Sequence, residues 1–250
     1  VWGELEAARR VQTGLLPHAS TLMAEARCDI DAVMAPARVV GGDLYDFFKP
    51  SVNRLTFLVG DVSGKGLPAS LLMAVSKALC KSAALRGGSN MAAVLTESNQ
   101  EIARDNPDEM FVTALLCSLD LDNGRLDYAN AGHDAPILLR SGGLERLDAA
   151  GGPPICMIEE HPYIGAVCAL EPGDALLLYT DGVTEAMDAR GQLYGRERLC
   201  RLLGELNREL SCTDIIAAVQ RDLRSYGAAE ERADDITMLA LRWRGPAKPG

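Results

Sequence analysis

The stretch RLTFLVGDVSGKGLPASLL, residues 54–72, decides how the chain is read. Alternation at period two puts Leu55, Phe57, Val59 and Asp61 on one face of a strand, so a carboxylate ends a row of core residues. The glycine-rich run that follows carries Lys65 and enters a helix with Pro68 in its first turn, which invites comparison with a nucleotide phosphate loop. The spacing fails at both ends. The required glycine falls at position 59, which is Val, and Gly66 stands where Ser or Thr is needed. The glycines are better read as a tight strand-to-helix turn, and Lys65 is left without a role.

Asp61 has counterparts. In DALLLYTDG (174–182) the same counting aligns Ala175, Leu177, Tyr179 and Asp181, and the final strand DITMLALRW (235–243) is entered from Asp234-Asp235. GGDLYDFF (41–48) sets Asp43 and Asp46 at the head of another apolar segment. Any one of these is ordinarily a turn residue bonding local backbone. Several at the ends of different strands, aimed along core faces with few Lys or Arg nearby in sequence, are costly to bury unpaired. Divalent cations with oxygen ligands, Mg²⁺ or Mn²⁺, offset that cost.

Around these residues lie strand-length runs at 28–37, 54–62, 110–121, 125–131 and 135–140, with turn signals DNG (122–124) and SGG (141–143). Helices are expected at about 67–86, with Leu67, Leu71, Val75, Ala78 and Leu85 on one stripe, and at about 90–104. Further strands follow near 163–170 and 174–180, then helices near 195–206 and 212–225. Hairpin-clustered strands with paired helices predict antiparallel sheets covered by helices, an α+β layered fold. The opening VWGELEAARRVQTGLLP reads as a helix with Val1, Leu5, Ala8, Val11 and Leu15 on one face, packed on its own domain or ending an interdomain coiled coil.

With 250 residues and a net charge of −10, the chain is long enough for a large core and too acidic for a nucleic-acid backbone partner. Seven cysteines without a CxxC pair fit a reducing, cytoplasmic compartment better than a disulfide framework. No apolar run reaches the ~18 residues of a membrane span.

GGDLYDFF, GDVSGKGLPASLL, MFVTALLCSLD, YANAGHDAPILL, LLLYTDGVTEAMD and DDITMLAL occur in that order. Together they resemble the metal-dependent PPM (PP2C-like) Ser/Thr phosphatases, and more narrowly the bacterial SpoIIE/RsbU branch of partner-switching pathways. The resemblance implies a four-layer α-β-β-α sandwich over residues 18–244, a linker or dimerisation helix at 1–17 and a short tail at 245–250. It implies two or three Mn²⁺ or Mg²⁺ ions, with Asp61 bridging and the Val62 carbonyl on one ion. Asp181 and Asp234 complete the other shell, and Asp43 sits beside the first ion, directly or through water. The implied reaction is in-line attack of a metal-bridging hydroxide on phosphoserine or phosphothreonine. No protein nucleophile is then required, and no Cys-x5-Arg loop is expected.

The implied substrate is a phosphorylated STAS-type anti-sigma-factor antagonist. The implied architecture adds an upstream sensor or receiver domain and a homodimer through residues 1–16, within a protein that is cytoplasmic or the cytoplasmic part of a membrane-tethered one. Eukaryotic relatives carry a His shortly after the bridging Asp as general acid; Val62-Ser63 stand there, so the acid is unassigned. Their phosphate-binding Arg lies five residues before the Asp aligned with Asp43, a spacing met by Arg38. His133, a lone histidine in a turn between strands, is more often a hydrogen-bonded structural residue than a catalytic one. GGDLYDFF lacks the acidic residue and Phe that cyclic-dinucleotide synthases place after GGD. The remaining alternative, a catalytically silent docking module, would be marked by loss of a metal Asp, and all are present.

Overall fold

The alternating runs become two five-stranded sheets. The computed structural model describes residues 2–104, 106, 109–148, 151–227 and 234–247. Val1 of the opening helix and the last three residues of the expected tail fall outside it. Helix α1 (Trp2–Leu15) and a 3-10 turn (Ala19–Leu22) lead into β1 (Cys28–Ala35), β2 (Asp43–Ser51) and β3 (Arg54–Val62). Helices α2 (Leu67–Gly87) and α3 (Met91–Arg104) precede β4 (Val112–Asp120), β5 (Arg125–Ala131), β6 (Ile137–Arg140) and β7 (Gly143–Arg146). Strands β8 (Gly165–Ala169) and β9 (Ala175–Tyr179) follow. The one-turn α4 (Asp181–Thr184), helices α5 (Arg196–Glu205) and α6 (Cys212–Ser225), and strand β10 (Ile236–Trp243) complete the chain.

One sheet runs β1-β10-β9-β6-β7 and the other β2-β3-β4-β5-β8, every neighbouring pair antiparallel. Their inner faces meet over Ile30, Phe47, Leu55, Phe57, Val59, Leu115, Leu176, Leu178, Leu239 and Leu241. Leu44, Leu58, Leu116, Met73 and Val94 form a second core between one sheet and α2–α3. Leu177, Tyr179, Leu199, Leu203 and Val219 form a third between the other sheet and α5–α6. This is the expected four-layer α-β-β-α order. Among the described residues no helix is long and apolar enough to cross a membrane.

Three expectations are corrected. Leu67, Leu71, Val75 and Ala78 of α2, with Leu85 two turns further on, are exposed. The packed face is instead Ala69, Leu72, Met73, Ser76, Cys80, Ala83 and Ala84, whose small members bring the helix close to the sheet. On α1, Val11 and Leu15 are exposed, Leu5 and Ala8 half-buried, and the side chains driven inward are Gln12 and, just past the helix, Leu16. Finally, Asp181 does not continue the row of Ala175, Leu177 and Tyr179. That row faces α5 and α6, and the chain leaves the sheet at Thr180, so Asp181 opens the α4 turn.

Candidate active site

The antiparallel register of β2 and β3 sets Asp43 directly opposite Asp61, with Thr113 of β4 on the other side of Asp61. In the other sheet, β9 runs out into Thr180-Asp181 beside the start of β10, where Thr180 N–H donates to the Thr237 carbonyl at 3.0 Å. Bonds made by Thr180 and Asp235 join these ends across the sandwich. The Thr180 hydroxyl donates to Asp43 Oδ2 at 2.8 Å while accepting from Thr237 N–H at 3.0 Å. Asp235 Oδ2 accepts from Gly42 N–H, and its Oδ1 from Ala37 N–H, both at 2.7 Å.

That arrangement separates the two members of the Asp234-Asp235 pair. Asp235 is buried and spends its carboxylate on backbone donors, whereas Asp234 is partly exposed beside Lys65, whose Nζ is 3.4 Å from Asp234 Oδ2. The double glycine before Asp43 has a steric reason. A Cβ at Gly41 would stand 2.2 Å from Asp235 Oδ2, and one at Gly42 would stand 2.8 Å from the Val62 carbonyl oxygen. From the other side the Gln12 amide clasps Gly41, donating to its carbonyl at 2.7 Å and accepting from its N–H at 3.1 Å.

The electrostatics are those of like charges gathered together, with Lys65 at the Asp234 edge. Burial, then the Asp61 charge, pushes Asp43 well above the usual carboxylate range. Burial, then Asp181, raises Asp61 to about 7, with Asp234 and Asp235 adding to the rise and a hydrogen bond from Asp43 opposing it. Asp181 is raised to about 6 by burial and by Glu185, Asp234 and Asp134. Among the described residues no three acidic, histidine or cysteine side chains close into a finished metal cage as they stand.

Arg38 is exposed, and its Nη1 lies 3.9 Å from where a Gly66 Cβ would be, over the loop that follows Val62. Gly66 itself has φ of 77°, the left-handed region that the strand-to-helix turn requires. His133 is buried and bonded at both ring nitrogens, to Thr113 and to Tyr179. Asp46, read beside Asp43 in the sequence, is not part of this site. It lies on the opposite face of β2, 2.8 Å from Lys77 Nζ of α2.

The expectation that no cysteine has an arginine six positions on is corrected by Cys80 and Arg86. Both lie on α2 rather than on a phosphate loop. Cys80 is buried with its thiol pushed up to about 11, and Arg86 pairs with Glu97. Burial raises the other six thiols as well, so none is a ready nucleophile. Sequence reasoning missed Thr180, Asp235 and Gln12 as organisers of the site. The first two lie inside quoted motifs, and the third is a polar residue interrupting an amphipathic helix.

The sandwich matches a PP2C domain fold. The SiaA PP2C domain of Pseudomonas aeruginosa superposes with a TM-score of 0.83 over 96% of this chain and 95% of that one, at 23% identity. The family model for stage II sporulation protein E (SpoIIE) matches residues 51–244, and the chain belongs to that family. Protein IcfG of Synechocystis is 29% identical over 95% of the chain, which spans 41% of IcfG's length. Phosphoserine phosphatase RsbU of Bacillus subtilis is 28% identical over 96% of the chain, which spans 70% of RsbU.

Proposed function

We propose that this domain is a divalent-metal-dependent phosphatase acting on phosphoserine or phosphothreonine of a regulatory protein. The observation that carries the reading is the meeting of Asp43, Asp61, Asp181 and Asp234 at one end of both sheets, where burial and mutual repulsion raise the pKa of the first three. An all-oxygen donor set of this kind fits Mg²⁺ or Mn²⁺, which keep part of their water shell and so do not need a closed protein cage. Asp61, the Val62 carbonyl, Asp43, Asp181 and Asp234 would hold the ions. When bound, such a pair lowers the pKa of a shared water and offsets charge on the attacking and leaving oxygens.

The chain's own groups orient and neutralise. Thr180 holds Asp43 by its Oδ2, and Asp235 and Gln12 hold the glycine pair that brings Asp43 close to Val62. Arg38, exposed over the Gly66 turn, would meet the substrate phosphate. The raised thiols argue against a cysteine nucleophile.

Kinship with RsbU supports a partner-switching role with a phosphorylated STAS-type protein as substrate, and an upstream sensor or receiver domain. The exposed Val11 and Leu15 support a homodimer through residues 1–16. Changing both to Lys leaves Gln12 in place and should halve the mass in solution; an unchanged mass would contradict the dimer. The activity test is phosphate release from a phosphoserine protein. Hydrolysis should require Mn²⁺ or Mg²⁺ and fall in Asp61→Ala and Asp181→Ala. Equal rates in the variants would overturn the reading. A wild type silent with Mn²⁺ would leave a docking module on the same fold.

A further inference from the structure

His133 sits where the chain passes from β5 of one sheet to β6 of the other, and it touches both sheets directly beneath the carboxylates. The turn that carries it is held by one amide. Asn130 Oδ1 accepts from His133 N–H at 2.7 Å, and Asn130 Nδ2 donates to the His133 carbonyl at 2.8 Å. The ring is therefore aimed rather than free. Its Nε2 lies 2.9 Å from the Tyr179 carbonyl, at the end of β9 and two residues before Asp181. Its Nδ1 lies 3.0 Å from the Thr113 hydroxyl, on the β4 residue directly opposite Asp61.

The chemistry of those partners fixes the tautomer. A carbonyl oxygen only accepts, so Nε2 carries the hydrogen and Nδ1 accepts from the threonine hydroxyl. The same hydroxyl is 3.5 Å from the Asp61 carbonyl, a much poorer geometry for its single hydrogen. Burial lowers the imidazole pKa, which keeps the neutral form.

We propose that His133 is a positioning residue, a neutral strut from Thr113 to Tyr179 that sets the separation between Asp61 in one sheet and Asp181 in the other. This rests on the metal-site reading above. Together with the bonds made by Thr180 and Asp235 and the Lys65–Asp234 ion pair, this ring is one of the polar links between the sheets at this end. Losing it would let the two halves of the ligand set drift apart while leaving each sheet intact.

The test uses the full chain and Mn²⁺ alone as probe. Nitrogen-15 spectra of the metal-free wild type should show one protonated ring nitrogen, Nε2, at neutral pH. Calorimetric titration should show Mn²⁺ binding weakened about 10–100-fold in His133→Ala, the cost usual for groups that orient metal ligands. Thr113→Val, which removes only the hydroxyl, should weaken it in the same direction by less, and serves if His133→Ala fails to fold. Activity in either variant should return at saturating Mn²⁺ with the KM for substrate unchanged. A protonated Nδ1 in the wild type, or Mn²⁺ affinity within about twofold of wild type in a folded variant, overturns the strut. A wild type that binds no Mn²⁺ overturns the metal site itself, and the strut's role in spacing ligands with it.

Discussion

Asp43 and Asp46 lie three residues apart on the same strand and are equally buried, yet they solve the cost of a buried carboxylate in opposite ways. Asp46 faces the helix layer, where Lys77 reaches it at 2.8 Å and Lys81 lies at 4.0 Å. Asp43 faces the space between the sheets, where its neighbours are Asp61, Asp235 and the Thr180 hydroxyl. Period two alone assigns the faces, because an odd spacing along a strand reverses the side. One carboxylate belongs to a complete ion pair. The other belongs to a cluster of like charges that Lys65 meets at its Asp234 edge, 3.4 Å away. A buried acid thus signals function only when the protein has not supplied its partner.

The contrast can be broken from either side. The largest effect is expected at the cluster: Asp61→Asn should lower phosphatase turnover by about 10²–10³-fold or more, as loss of a central electrostatic group does, with thermal stability kept or raised. Lys77→Met should do the reverse. Stranding Asp46 should cost about 3–5 kcal/mol of stability in denaturant titration, with turnover per folded molecule unchanged. Adding Asp46→Asn to it should return part of the loss. Arg38→Ala tests an exposed cation against the buried Lys77. It should lower kcat/KM roughly tenfold, the scale of one charge-assisted hydrogen bond, without moving the melting temperature.

A further effect concerns pH. Asp61 near 7 and Asp181 near 6 hold protons in the folded state that the unfolded chain releases at about 4. The folded state binds more protons across that window, so these groups make metal-free stability fall as pH rises from about 4 to about 7. Melting temperatures of the metal-free chain should decline over the window. Added Mn²⁺ should reverse the decline by replacing the protons. A flat metal-free profile would mean that the carboxylates do not crowd one another.

Much of this was legible in the sequence, because strands declare themselves by alternation. The limits of β3, β5 and α6 follow from residues 54–62, 125–131 and 212–225, and the parity that places Asp61 between the sheets holds. What could not be read was set by partners distant in sequence. The pairing of β1 with β10 joins the two ends of the chain and leaves no local signal. The exposed stripe of α2 was misread because bulk is easier to see than smallness: Ala69, Ala83 and Ala84 pack, while Leu67, Leu71 and Leu85 do not. Asp181 was assigned to a strand that ends two residues earlier. Within the site, the four carboxylates were visible as strand-end residues; the family resemblance alone chose Asp234 over Asp235, and the local pattern held no sign of the division of labour in that pair. It depends on Gly42 and Ala37 N–H groups about two hundred residues away in sequence.

The claim on which the rest depends is that these carboxylates are a cation site completed by ions. Calorimetric titration of Mn²⁺ into the metal-free full chain at neutral pH tests it directly. Saturable binding in the wild type, absent in Asp61→Asn and retained in Lys77→Met, is the predicted result. Absence of binding in the wild type, or equal binding in Asp61→Asn, would contradict it.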